Sequence, residues 1–235
     1  MDYKTIQKRV LNKVRDYSTI NFNTTLSKDG ASLYVKGDVV FFDVGFSSSK
    51  EFNFLGGEII IHKFWIDIAY LELERIICPI LIANELVGKS YSGETNMSFY
   101  VEKNYKNTLP EKGIKIASEK DIVLVSDLFT KFFREDALPF FEHWHSLPVL
   151  YDYIKNKDDE ALWDILGQFS PMKKAVIYRL CNDKDALNII NEYYEKQKPY
   201  YEEDSNDVDN IRYYNASKEL KETLEKTAPI YNTVM

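Results

Sequence analysis

The sequence predicts an α+β fold, with an N-terminal helix and an antiparallel β-meander packed with helices, followed by a mostly α-helical C-terminal half. Between about residues 22 and 64, apolar residues alternate at a spacing of two, and short connections separate the runs, as in neighbouring strands. From residue 118 onward, apolar residues recur at spacings of three and four, which is typical of helices.

The first element is a helix predicted over Tyr3–Tyr17. Its apolar stripe consists of Tyr3, Ile6, Val10, Val14 and Tyr17, all at helical spacing. Lysines and arginines occupy the other faces, and we interpret these as solvated rather than as a binding surface.

The strands of the meander follow, connected by glycine turns. Asp29-Gly30 suits a type I′ turn and Gly37-Asp38 a type II′ turn, because both need positive backbone angles. The serine-rich segment 47–50 is interpreted as a loop, and Gly56-Gly57 as a turn. We predict strands over Phe22–Leu26, Ala31–Lys36, Val39–Phe46 and Glu58–Phe64.

A helix is then predicted over Ile66–Ile80, interrupted near Pro79, which lacks a backbone donor. Two further strands are predicted, at Met97–Val101 and Gly113–Ile116. They either extend the sheet or pair as a separate hairpin.

The C-terminal half is predicted as successive helical hairpins. Ser118 and Asp121 are expected to cap one helix, and Ser170-Pro171 to start another. The acidic stretch Glu202–Asp209 is interpreted as a mobile loop before a terminal helix at Ile211–Lys226. We expect a sheet domain at residues 1–117 and a helical region at 118–198 packed on it. This helical region is either a separate domain or part of the same one. A loop and a terminal helix follow at residues 199–235.

The composition limits the classes of function. A net charge of −7 and an isoelectric point near 5.2 argue against broad electrostatic binding of nucleic acid. The longest apolar run, Ile76–Ala83, is too short to cross a membrane. With two distant cysteines, Cys78 and Cys181, and no secretory signal, we expect a cytoplasmic protein without disulfides or membrane partners.

The candidate ligand-binding residues are Asp43, His62 and Lys63, which lie on the third and fourth predicted strands. Their side chains could take part in acid–base chemistry. An Asp–His pair across the sheet would be a recognisable acid–base unit. Nothing in the sequence supplies a nucleophile for this pair, and a partly buried structural role is favoured for His62. We therefore assign no catalytic residue.

Metal and cofactor motifs do not emerge from the sequence. His143 and His145 are the nearest approach, but residues two apart on a helix point away from each other. The sequence contains no recognisable phosphate-binding, dinucleotide or zinc motif, so we predict no metal and no cofactor.

Tyrosines and carboxylates are abundant in the helical half. Tyr193, Tyr194, Tyr200 and Tyr201 are the candidate partner-binding residues, because tyrosine is enriched at protein interfaces. An acidic and aromatic surface suits a partner with a basic surface. The alternative is that these rings fill the core of a tyrosine-rich protein.

The order of elements in the first third resembles bacterial domains of unknown function, some of which are grouped with immunity proteins that antagonise polymorphic toxins. The residues that carry this resemblance are Leu33–Val40, Ser47–Lys50 and Trp65. It implies an acidic cytoplasmic protein that acts by binding another protein.

The leading hypothesis is therefore a non-enzymatic protein-binding protein, of immunity type where the resemblance holds. One alternative is a small-ligand binder or enzyme with a pocket between the sheet and the helical half, using Asp43, His62 and Lys63. Another is a structural subunit that folds only within a larger assembly. The sequence leaves the oligomeric state open.

Overall fold

The strands in the described part of the chain form one five-stranded antiparallel sheet, which confirms the predicted α+β class. The structure is a computed structural model that describes residues 3–15, 23–27, 32–37, 39–51, 58–91 and 105–233. The strands lie side by side in chain order, as predicted for a meander. They are β1 (Asn23–Leu26), β2 (Ser32–Lys36), β3 (Val40–Glu51), β4 (Glu58–Tyr70) and β5 (Ile114–Ile116).

Helices occupy most of the remaining described chain. They are α1 (Tyr3–Arg15), α2 (Leu71–Ala83), α3 (Glu119–Phe132), α4 (Leu138–His143), α5 (Leu147–Ile154), α6 (Asp159–Leu166), α7 (Ser170–Leu180), α8 (Ala186–Glu203) and α9 (Val208–Lys226). A π-helical turn at Phe133–Ala137 continues α3 directly into α4.

The chain divides into two compact units, each built from two separate segments. The first, called the sheet unit below, comprises Met1–Ile68 and Glu102–His143. The second, called the helical unit, comprises Ala69–Val101 and Trp144–Met235.

The sheet unit buries one face of its strands against helices. β2 pairs with β3 in a register that sets Leu33 opposite Val44 and Val35 opposite Phe42, and all four side chains are buried. This agrees with the predicted alternation, in which even-numbered residues of β3 share a face. Phe129 of α3 is completely buried in the same core.

Helix α1 packs along α3, which explains its basic face. Arg9 forms a double hydrogen bond with Glu119, at 2.7 and 2.8 Å, and Lys13 contacts Asp127 at 2.7 Å. Residues 6, 10 and 14 of the predicted stripe are buried. The helix is thus confirmed from Tyr3 to Arg15.

Two predicted boundaries in the sheet are wrong. The serine-rich segment 47–50 belongs to β3 rather than to a loop. The helix predicted from Ile66 begins only at Leu71, because β4 continues to Tyr70. The predicted start of this helix is misplaced because the apolar residues of the stretch fit two periodicities. Residues 66, 68 and 70 alternate as in a strand, whereas residues 66, 69, 70 and 73 recur as in a helix.

A phase shift interrupts β4 at His62 and Lys63, which are both exposed. Ile59 and Ile61 are buried before it, and even-numbered residues from Phe64 onward are buried after it. The buried positions therefore change from odd to even numbers across these two residues. The predicted partial burial of His62 is wrong, because its side chain is exposed to solvent.

β5 extends the sheet along β4, as one of the two predicted alternatives states. Ile114 pairs with Ile61 and Ile116 with Ile59. Gly113 leads into this strand at a φ of +72°, and a Cβ atom there would overlap the carbonyl oxygen of Ile61. Glycine is therefore required for the close approach.

Some predicted features fall outside the described residues. These are the turns at Asp29-Gly30 and Gly56-Gly57 and the strand at Met97–Val101. At the Gly37-Asp38 turn, the Gly37 amide donates to the Val40 carbonyl at 2.8 Å, and Asp38 itself is not described.

The helical unit is organised around the α8–α9 hairpin. The acidic stretch predicted as a loop is mostly helical, because α8 extends to Glu203 and α9 starts at Val208. Asp207 caps α9 by accepting a hydrogen bond from the Asn210 amide at 2.9 Å, which is why the helix begins early. Leu220 and Leu224 are fully buried, so the C-terminal half of α9 is docked.

Candidate binding groove of the helical unit

A groove of about 650 Å³ is formed entirely by residues of the helical unit. Its walls come from α6, the start of α7, α8 and α9. This volume lies within the usual range for ligand sites in proteins, about 300–1,000 Å³. The lining includes Leu162, Trp163, Pro171 and Ile189 as apolar surface, Tyr193 and Tyr213 as phenols, and Asp159, Gln168, Lys174, Glu192, Lys196 and Gln197 as polar groups. We call this feature the Trp163 groove.

Helix α6 positions the most exposed aromatic side chain of the groove. Asp158 caps the helix by accepting the Ala161 amide at 2.9 Å. Leu162 and Leu166 turn inward and are buried, which places Trp163 on the outer face with 55% of its surface exposed. Asp159 lies one turn before Trp163, on the same side of the helix. A carboxylate and an indole therefore stand side by side at the mouth of the groove.

The opposite wall carries two tyrosines. Gln168 Nε2 donates to the hydroxyl of Tyr213 at 2.7 Å, which fixes that ring. Burial raises the pKa of Tyr193 to about 12, with a smaller contribution from Tyr213. Tyr193 is therefore neutral at physiological pH, and its phenol offers hydrogen bonds without charge.

Helix α8 adds a carboxylate and an ammonium to the wall. Glu192 and Lys196 are four residues apart, in the order that favours an ion pair on a helix. Within the described ranges, neither side chain forms a salt bridge or hydrogen bond. Both remain available to a bound molecule.

The tyrosines predicted to bind a partner have different roles in the structure. The Tyr194 hydroxyl lies 3.1 Å from that of Tyr214, and the Tyr201 ring stacks on Tyr214 at 4.5 Å. These two join α8 to α9. Tyr193 lines the groove, and Tyr200 is 52% exposed on the outside of α8.

The residues predicted for ligand binding are not brought together. Asp43 lies on the face of β3 opposite Phe42 and Val44, and pairs in register with Tyr34. His62 Nε2 lies 2.6 Å from the hydroxyl of Ser49. Since Ser49 is six residues from Asp43 along one strand, about 20 Å at roughly 3.3 Å per residue, no Asp43–His62 pair forms. Lys63 is exposed beside His62.

The Ser49–His62 contact joins a hydroxyl to an imidazole at hydrogen-bonding distance. Such a pair is the minimal nucleophile–base unit. His62 is exposed, and neither residue is among those that line the Trp163 groove.

A cluster of ionisable groups is buried between α2 and α7, apart from the groove lining. Lys173 Nζ donates to the Leu166 carbonyl at 2.9 Å and so caps the end of α6. Cys78 Sγ donates to Glu74 at 3.0 Å. Burial lowers the pKa of Lys173 and raises the pKa of Cys78, so this thiol is not an activated nucleophile. Cys181 is also buried and free.

In the described ranges there is no group of three or more potential metal ligands among histidine, cysteine and carboxylate side chains. None of the helices in those ranges combines the length and apolar character needed to span a bilayer.

Trp163 is the site residue that sequence reasoning missed. The predicted inward residues of its helix, Leu162, Ile165 and Leu166, place position 163 outside the apolar stripe, about 100° around the helix from its centre. A tryptophan off the apolar stripe, between Asp159 and Asp164, was the available signal. The positions of α8 and α9 next to Trp163 depend on tertiary packing, which the local sequence does not show.

Comparison with known proteins identifies no relative. No family model matches the chain, and neither a curated protein nor a solved structure does.

Proposed function

We propose that the chain is a cytoplasmic, non-enzymatic protein-binding protein whose helical unit binds a partner with a basic surface. The observation that carries the proposal is the distribution of charge. Over the printed sequence, the helical unit holds 21 acidic and 14 basic residues, a net charge of −7, whereas the sheet unit holds 16 of each. The helical unit therefore carries all of the net negative charge, and this charge attracts a partner with a basic surface.

The Trp163 groove supports the same proposal. Tryptophan and tyrosine supply most of the strongest contacts at protein interfaces, because they bury large areas at a small entropy cost. Trp163, Tyr193 and Tyr213 surround a concave site on the acidic unit. The immunity-type role implied by the resemblance is a specific form of this function, in which the partner is a toxin.

The experiment is affinity purification of the tagged protein from its native cells at about 50 mM and 500 mM salt, with mass spectrometry and stoichiometry of what co-elutes. We expect one stoichiometric partner with a basic surface, released at high salt because surface charges are screened. The variant Glu192→Gln/Glu195→Gln on α8 should weaken its recovery. The matched control, Glu111→Gln/Glu142→Gln in the sheet unit, should leave it unchanged.

Two results contradict this proposal. One is the absence of any stoichiometric protein at low salt, and the other is equal loss of the partner in both double variants.

A second function is favoured by the volume and lining of the groove, which suit a small organic ligand. A thermal-shift screen of metabolites tests it. A compound that stabilises the wild type but not Trp163→Ala supports small-molecule binding, and a screen without any such compound contradicts it.

A further inference from the structure

We infer that the Trp163 groove receives an arginine side chain of the partner, stacked on the indole of Trp163 and paired with the carboxylate of Asp159. This inference rests on the proposed function and names the group that the groove recognises. It depends on the geometry of α6, the composition of the facing wall and the charge of the helical unit.

The α6 wall presents a flat ring beside a negative charge. Asp159 and Trp163 are four residues apart, so their Cβ atoms lie about 5–6 Å from each other. Both line the groove, and 55% of the indole is exposed. Asp159 forms no hydrogen bond or salt bridge with any described residue. Its carboxylate thus remains able to bind an incoming cation.

Arginine matches this wall better than lysine does. Its guanidinium is planar, so it can stack on an indole while its edge donates two hydrogen bonds to a carboxylate. Lysine carries a compact ammonium that cannot do both in one plane. The negative charge of the helical unit favours either cation, so the discrimination comes from the shape of the wall.

The facing wall limits the charge that can enter beside the arginine. Lys196 lines the groove, and Lys174 lies there with its ammonium 5.8 Å from the Tyr178 ring centre. A run of consecutive basic residues would meet these ammonium groups. A single arginine flanked by neutral or acidic residues avoids that repulsion and gives the two lysines carbonyl or carboxylate partners. The groove therefore selects an isolated arginine over a polybasic stretch.

The probes are acetylated, amidated hexapeptides with a glycine–serine background and one central residue, either arginine, lysine or citrulline. Binding to the full chain is measured by saturation-transfer NMR and isothermal titration calorimetry. We expect the arginine peptide to bind at least fivefold more tightly than the lysine peptide. Citrulline keeps the planar shape without the charge and should bind at least tenfold more weakly than arginine.

Matched variants test whether the arginine peptide binds in the Trp163 groove. Trp163→Ala should weaken the arginine peptide at least tenfold, and Asp159→Asn about fivefold. The control is Asp164→Asn, an exposed carboxylate next to Trp163 that does not line the groove, and it should change affinity less than twofold. Circular dichroism confirms that each variant is folded, which the exposure of Trp163 and Asp159 favours.

Three results would overturn the inference: equal binding of the arginine and lysine peptides, affinity that survives Trp163→Ala, or no binding of any probe at millimolar concentration.

The two proposals fail in different ways. A salt-sensitive partner that is lost in Glu192→Gln/Glu195→Gln but retained in Trp163→Ala and Asp159→Asn overturns the arginine site and leaves the proposed function intact. Arginine-selective binding in the groove without any protein partner in the native cell supports the site and contradicts the proposed function.

Discussion

The sheet unit and the helical unit both pack aromatic rings, but with different chemistry. In the sheet unit the rings are mainly phenylalanines in contact with one another, such as Phe46 and Phe64 on Phe129. In the helical unit they are mainly tyrosines, such as Tyr151 on Tyr178. The tyrosine pairs add hydrogen bonds to the ring contact, as the Tyr151 hydroxyl does to Asp183 at 2.6 Å.

This difference separates two ways of stabilising a small core. A phenylalanine cluster gains its stability from excluding water, and it needs complete burial. A tyrosine keeps the ring contact while its hydroxyl reaches a polar partner near the surface, so thin layers of helices can be joined without a deep core. The predictions below test that distinction.

The largest effect is expected from Phe129→Ala in the sheet unit. Phe129 is completely buried against Phe46, Phe64 and Phe132. Removing the ring leaves a cavity, and we expect the free energy of unfolding to fall by about 3–5 kcal/mol in urea titrations. Leu124→Ala on the same helix, 48% exposed, is the control and should change it by less than about 0.5 kcal/mol. A loss below about 1 kcal/mol for Phe129→Ala would show that the cluster is not the main core.

A smaller loss is expected from Tyr151→Phe in the helical unit, which keeps the ring and removes only the hydroxyl bond to Asp183. A hydrogen bond to a charged group is typically worth about 1.5–3 kcal/mol, and the partial exposure of Asp183 places the expected loss near 1 kcal/mol. Tyr153→Phe, at a ring 39% exposed, is the control and should be nearly neutral. Equal stability of Tyr151→Phe and the wild type would mean that the hydroxyls add nothing to the ring contacts.

A third effect concerns alkaline pH. Burial raises the pKa of Tyr178 to about 12, with smaller contributions from Asp183 and Asp185. The unfolded phenol ionises near pH 10, so the unfolded state loses protons first and stability falls between about pH 10 and 12. In Tyr178→Phe, the urea midpoint should therefore fall less steeply with pH than in the wild type. The control Phe64→Leu removes a ring that cannot ionise, so it should lower the midpoint at every pH without changing the slope. Identical slopes for the wild type and both variants would refute the assignment to Tyr178.

The elements that the sequence predicts well are those where several local signals agree. At the start of α3, Ser118 and Asp121 form the predicted cap. The Asp121 carboxylate accepts the Ser118 amide at 2.7 Å and the Ala117 amide at 3.0 Å, and these bonds together with the Ser118 hydroxyl lower its pKa. The alternation in β2 and the stripe of α1 are similarly clear, because one spacing alone fits each.

The site is less predictable because tertiary packing creates it. Asp43 and His62 are on neighbouring strands, as predicted, but the sequence does not give their separation along those strands. The change of the buried face at His62 and Lys63 is likewise not visible in a pattern that apolar residues dominate. The Trp163 groove needs helices far apart in the chain to meet, and local periodicity contains no information about that.

Lys173 gives the helical unit a built-in chemical reporter. The residue is only 4% exposed, and its ammonium donates a hydrogen bond to the Leu166 carbonyl at the end of α6. An amine-modifying reagent can reach it only when the helices around it, α2, α6 and α7, separate, while surface lysines such as Lys196 react at once. The rate of Lys173 modification, followed by mass spectrometry, therefore measures how often this part of the molecule opens under native conditions.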